Sequence, residues 1–159
     1  MKITILCVGK IKESFYREAI EEYAKRLGKY CKFSVIEVPD EECPESASAA
    51  EEEIVKKKEG EKLLKKIPSS AYVYALKIDG KKRDSVGFSD DLQKIFLSGK
   101  NEVCFIIGGS LGLSEEVLNA CNAKLSFSDM TFPHQLMRVI LSEQIYRAFR
   151  IMNHEPYHK

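Results

Sequence analysis

The chain has 159 residues, 44% hydrophobic and 31% charged, with 25 Lys+Arg against 24 Asp+Glu for a net charge of +1. That length and balance predict one domain over residues 1–159 with a single core. They lack the strongly basic signature of a general nucleic-acid binder, so an RNA partner would have to be met by local patches or by a structured target. No run of about 18 apolar residues and no leader with an apolar h-region occurs, so the expectation is a cytoplasmic protein without a membrane span. The five cysteines, Cys7, Cys31, Cys43, Cys104 and Cys121, are odd in number and show neither Cys-x-x-Cys nor zinc-type spacing. Reduced thiols and no metal are expected.

From Lys2 to Val8 the apolar residues Ile3, Ile5 and Cys7 face one side and Leu6 and Val8 the other, which predicts a strand ended by Gly9. Phe15, Ala19, Ile20, Tyr23 and Leu27 recur at helical spacing, giving a helix from Glu13 to about Leu27 with Gly28 as its C-cap. Phe33 to Val38 is a second strand, stopped by Pro39 and a polar, acidic loop from Asp40 to Ser48. A long charged helix follows Ser48. Its Glu52/Lys56, Glu53/Lys57 and Glu61/Lys65 pairs stand in the favourable i,i+4 order, so the charge run reads as a solvated helix face rather than an RNA-binding patch.

Ala71 to Ile78 predicts a third strand, Asp79-Gly80 a turn, and Ser89 to Leu97 a short amphipathic helix ending near Gly99. Val103 to Ile107 is continuously apolar, as in a strand covered on both faces. A short helix over Ser114–Cys121 and a strand over Lys124–Ser128 follow, and Pro133 opens a last helix, His134 to Met152. Strands alternating with helices predict an α/β fold, a mainly parallel sheet with helices on both faces.

Gly108-Gly109-Ser110-Leu111-Gly112 follows the most apolar strand. Residues without Cβ let the backbone approach a ligand closely, yet the same glycines equally suit an ordinary tight strand-to-helix turn. The spacing is not G-x-G-x-x-G, which argues against a dinucleotide-dependent oxidoreductase and against the common open-sheet methyltransferases. The last helix carries an apolar surface wider than one sheet face needs, from Leu136 to Met152. Either its own domain buries it or a homodimer seam does, and the small chain favours the seam. Arg138, Arg147 and Arg150 share that helix, where lone arginines are commonly surface ion-pair partners. The tail, Asn153 to Lys159, mixes cationic groups with an aromatic ring, suited to phosphate contact and base stacking, although a frayed terminus reads the same way.

Taken together, Ile106-Ile107-Gly108-Gly109-Ser110, the run from Leu125 to Gln135, Arg138, Glu143 to Ala148, the closing Pro156-Tyr157-His158 and the opening Lys2-Ile3 and Val8-Gly9-Lys10 resemble the ribosomal large subunit methyltransferase H family over essentially the whole chain. This is a family of knotted SPOUT methyltransferases that methylate N3 of a pseudouridine in a stem-loop of large-subunit (23S) ribosomal RNA.

The resemblance implies a single-domain SPOUT-type fold with a C-terminal deep trefoil knot and S-adenosyl-L-methionine as methyl donor. It implies cofactor contacts at Leu76, Gly108, Phe127, Ser128, Asp129, Met130, Thr131 and Phe132, the Asp129 contact being through backbone. Arg138 is then the candidate for orienting the RNA or steadying charge on the uracil ring. Tyr157 and His158 are the candidates for placing the base, from the same or the other subunit of a homodimer. The group that takes the N3 proton is not identified by the resemblance. No metal is required, since a sulfonium methyl is already electrophilic and needs mainly alignment and proton removal. Near-neutral charge fits a target presented by an assembled ribosome. Two rivals remain at this level: the same fold acting on another RNA such as a transfer RNA, and a non-catalytic ribosome-binding factor.

Overall fold

The computed structural model describes residues 1–159. Five strands and five helices alternate: β1 Lys2–Val8, α1 Ser14–Leu27, β2 Lys32–Val38, α2 Ala49–Leu64, β3 Tyr72–Lys82, α3 Ser85–Leu97, β4 Glu102–Ile107, α4 Glu115–Ala120, β5 Ala123–Ser126 and α5 His134–Met152. The strands form one sheet in the order β2-β1-β4-β3-β5, and every pairing is parallel. The expected α/β architecture is therefore present, with helices on both faces.

The period of two along the strands sorts side chains into two layers. Ile3, Ile5 and Cys7 of β1 and Val103, Phe105 and Ile107 of β4 point to one face, where Leu27, Phe88, Leu92, Leu141, Ile145 and Phe149 of α1, α3 and α5 complete the larger core. Leu6, Val8, Cys104 and Ile106 point to the other face and meet Leu63 of α2 and Val117 of α4. β1 and β4 are buried on both faces, and for that reason β4 is continuously apolar after Glu102 and β1 is interrupted after Lys2 only by Thr4. α5 lies between α1 and α3, so most of its wide apolar surface is consumed within the chain, while Leu136, Val139, Ile140 and Ile151 stay half-buried.

Local chemistry fixes the helix starts. Ser48 caps α2 in a full capping box with Glu51, Asp84 caps α3 through Gly87 N–H, and Ser114 caps α4 through Val117 N–H. The Asp84 cap starts α3 four residues before the expected Ser89. None of the three expected i,i+4 pairs on α2 forms an ion pair: Lys56 instead meets Glu53 at i,i+3, and Lys62, outside those pairs, reaches Glu41 of the preceding loop at 2.5 Å.

One expectation fails. Asp79-Gly80 is not a turn between elements; β3 continues through it to Lys82. Leu76 and Lys81 both pair with Leu125, so residues 77–80 bulge out of the ladder between them. A Cβ on Gly80 would lie 2.8 Å from the backbone of Lys124 and of Leu125, so only glycine allows the bulge to close on β5.

The helix behind the glycine-rich turn is packed as tightly. A Cβ at Gly60 of α2 would stand 2.4 Å from Ser114 Oγ and 3.1 Å from Val117 Cγ2. Gly60→Ala is expected to lower stability by about 1–3 kcal/mol through overpacking, despite alanine's better helix propensity, as read from the urea midpoint at unchanged m-value.

Candidate functional site

The carboxyl ends of β3, β4 and β5 open onto a cleft of about 630 Å³, within the roughly 300–1,000 Å³ typical of small-molecule sites. Three chain segments build it: the β3 bulge from Leu76 to Asp79, the turn from Gly108 to Leu113, and the β5–α5 connection with Phe127, Ser128, Met130, Thr131 and Phe132. Leu125, Leu118 and Met137 close its floor, and Lys56, Asp79 and Glu115 bring charge to its lining. Open α/β sheets hold ligands at this end of the strands because the turns there can be shaped without disturbing the core.

The turn is held in place by close backbone approach. A Cβ on Gly108 would sit 2.7 Å from the Gly112 carbonyl carbon, and Gly112 takes φ of 84°. Gly109 and Gly112 also form a bridge, with Gly112 N–H donating to Gly109 O at 3.1 Å. Opposite, Ser128 Oγ accepts the Met130 N–H at 3.0 Å and Ser126 Oγ donates to Ser128 O at 3.2 Å, which folds the connection inward. Met130 is 74% exposed, an apolar side chain at the rim.

The residues singled out from sequence divide into three groups. Leu76, Gly108, Phe127, Ser128, Met130, Thr131 and Phe132 line the cleft together. Asp129 does not line it; its exposed carboxylate turns outward to Lys82 Nζ at 2.5 Å. Arg138, Tyr157 and His158 lie elsewhere.

Arg138 is 0% exposed. Its guanidinium donates to Glu37 at 2.8 Å, to Val8 O at 2.8 Å and to Gly9 O at 3.0 Å, tying the start of α5 to the ends of β1 and β2. Within one chain it is closed off from solvent and reaches a substrate only through groups it holds. The Cys7 thiol beside it is pushed up to about 12, mainly by burial, against the pull of Arg138.

Tyr157 and His158 fold back on α5. Tyr157 Oη donates to Glu143 at 3.2 Å, its ring packs edge-on to Tyr146, and Arg147 stacks over it at 4.6 Å. His158 Nδ1 lies 3.4 Å from Arg147. With about 1.5 Å rise per residue, the helix carries Glu143 and Arg147 roughly 13–20 Å from His134 at the cleft. In one chain the tail and the cleft are separate.

Two cleft-side groups escaped the sequence reading. His134, read only as a helix start, lines the cleft and is half-buried. Burial, then the Arg138 charge, hold it below the ordinary histidine value, so it is neutral at pH 7. Lys56, read as one of a solvated row, also lines the cleft. The Phe132-Pro133-His134 junction of loop and helix was the available signal for the histidine; nothing local marked Lys56.

A family model described as "Predicted SPOUT methyltransferase" matches residues 1–158. The chain belongs to the SPOUT methyltransferase family. Among the relatives of this SPOUT chain are proteins named ribosomal RNA large subunit methyltransferase H, at 57% identity in Clostridium botulinum, 56% in Exiguobacterium sibiricum and 55% in Limosilactobacillus reuteri, each covering 100% of both chains over 159 residues. A putative methyltransferase of Legionella pneumophila, solved with its bound cofactor SAM, shares the fold at a TM-score of 0.51 and 10% identity, over 94% of this chain and 66% of that one.

Replacing Arg138 by Met should raise the His134 titration midpoint, because one of the causes that depress it is removed while burial, the largest, and the Lys12 charge stay. The shift is read by NMR of the His134 imidazole Cε1–H, wild type against variant. The same variant should lose about 3 kcal/mol, since Glu37 and two strand-end carbonyls are left without their donor.

Proposed function

We propose that this chain, as one SPOUT domain over residues 1–159, transfers a methyl group from S-adenosyl-L-methionine to N3 of a pseudouridine in large-subunit (23S) ribosomal RNA. The cleft carries this reading. It joins the glycine turn and the Phe127–Phe132 connection in one concavity, and relatives identical at 55–57% over their full length carry names that state ribosomal RNA methylation.

The lining suits the donor. Leu76, Leu118, Phe127 and Met137 offer apolar walls for a purine ring, Gly108 and Gly112 a backbone edge for its polar atoms, and Lys56, Asp79 and Glu115 counter-charges for an amino-acid moiety. When bound, the donor supplies an activated sulfonium methyl. The residues of the chain supply the rest: the three segments fix orientation, the apolar floor excludes water, and His134 is a cleft group able to accept a proton. Arg138 acts as a positioning residue, holding the helix that bears His134 and Met137 and adding to the burial that holds the histidine below its ordinary value.

Tyr157 and His158 are assigned to placing the base. Because the tail of one chain lies along its own α5 away from its own cleft, this role calls for a homodimer in which the tail of each subunit serves the other's cleft. The half-buried apolar side chains on the outer face of α5 favour that association. The same reading has the protein cytoplasmic and its substrate presented by the assembled ribosome.

The deciding experiment supplies labelled S-adenosyl-L-methionine and ribosomes from a strain lacking the gene, and maps the product by mass spectrometry of RNA fragments. Label on N3 of one large-subunit pseudouridine is expected; label confined to transfer RNA would move the substrate assignment. Gly108→Ala should reduce donor affinity by at least about tenfold, since the added Cβ must displace the Gly112 backbone or enter the cleft. Naked ribosomal RNA should be methylated much more slowly than intact ribosomes, and equal rates would remove the assembled ribosome from the reading.

A further inference from the structure

Glu59 is a carboxylate in the protein interior, 5% exposed, on the stretch of α2 that backs the glycine turn. It has no ion pair. Its Oε1 accepts the Glu41 N–H at 3.0 Å, while Lys62, one turn further on, is engaged by Glu41 at 2.5 Å and by the Pro39 carbonyl at 3.0 Å. Buried carboxylates are ordinarily matched by a cation or by several donors, because desolvation penalises the charge. Burial holds Glu59 above the usual carboxylate range, Asp40 and Glu41 push the same way, and the Glu41 N–H and Lys62 oppose them.

Its position gives that costly charge a use. Glu59 Oε2 lies 3.1 Å from where a Cβ on Gly109 would stand, an approach that the bare α-carbon permits. Gly109 itself lines the cleft, so one layer of backbone separates the carboxylate from the space beyond.

We propose that Glu59 is a specificity-determining residue whose buried negative charge makes the cleft favour the sulfonium donor over its neutral thioether product. The inference rests on the reading of the cleft as the S-adenosyl-L-methionine site. Loss of the methyl turns a positively charged sulfonium into a neutral thioether and leaves the rest of the molecule unchanged. A fixed charge acting through a thin, poorly polarisable layer attracts the first and is indifferent to the second. Donor is drawn in and product is loosened by one group that touches neither. The charge is retained at the expense of fold stability, as expected where a site trades stability for function.

The test is calorimetric binding of S-adenosyl-L-methionine and of S-adenosylhomocysteine to the full-length wild type, Glu59→Gln and Glu59→Asp. Glu59→Gln should weaken the donor by about tenfold and change the product by less than about twofold, the scale of one charge at an effective dielectric near 20. Glu59→Asp should keep most of the wild-type preference. Without ligand, Glu59→Gln should melt at least as high as wild type, because its amide oxygen still accepts the Glu41 N–H and no buried charge remains. Equal weakening of both ligands, an unchanged ratio, an Asp variant that behaves like Gln, or a Gln variant that melts lower or does not fold would each overturn the proposal. A wild type that binds neither ligand would instead overturn the reading of the cleft.

Discussion

Arg138 carries a permanent charge to a place with no solvent exposure, and the groups that receive it are the ends of β1 and β2. Three bonds from its two terminal nitrogens hold the guanidinium there while Nε has no partner, so the start of α5 has little freedom to slide or rotate against the sheet. That restraint propagates. Met137 and His134, on the same turn of helix, are thereby placed at the cleft, and Phe132 just before them is drawn over it. Gln135 adds a second tie by accepting the Lys12 N–H at 3.0 Å, from the segment that follows β1.

The opposite wall depends on the absence of side chains rather than on a charge. Gly60, Gly80, Gly108 and Gly109 each stand where a Cβ would meet neighbouring atoms at 3.1 Å or less. Together they let α2, the glycine turn and the β3 bulge approach one another at backbone distance. The cleft is thus a space left between tightly nested backbones, which suits a rigid, preorganised site better than one assembled by loop closure. Ser114 serves both demands, capping α4 and filling the space over Gly60.

The periodic parts of this architecture were open to reading from sequence because they follow local rules. Alternation in β1 assigned both of its faces correctly, and the His134–Met152 span of α5 followed from Pro133 and helical spacing. Asp79-Gly80 misled because its turn chemistry is real but is spent on a bulge, and only the partner strand β5 distinguishes the two outcomes. Arg138 could be singled out by resemblance but not placed, since nothing in helical spacing separates an arginine at the surface from one buried with both terminal nitrogens bonded inside. Glu59 was hidden in a run of charges for a related reason: a face rich in Glu and Lys reads as solvated, and burial of one member depends on the loops packed across it.

The distribution of charge bears on how such a protein meets RNA. Several of its cations are already committed, Lys29 and Arg150 to Glu155, Arg147 to Glu143, Arg83 to Asp91 and Lys82 to Asp129. Cations committed in this way have less to offer a phosphate backbone than free ones. Met130 and Ile78 stand exposed as apolar side chains at the cleft, the kind of surface that can stack on a base. A target held rigidly by surrounding structure meets such a surface at less entropic expense than a free RNA that must first be ordered. The modest net charge of the chain, +1, is in keeping with recognition that relies on shape more than on charge.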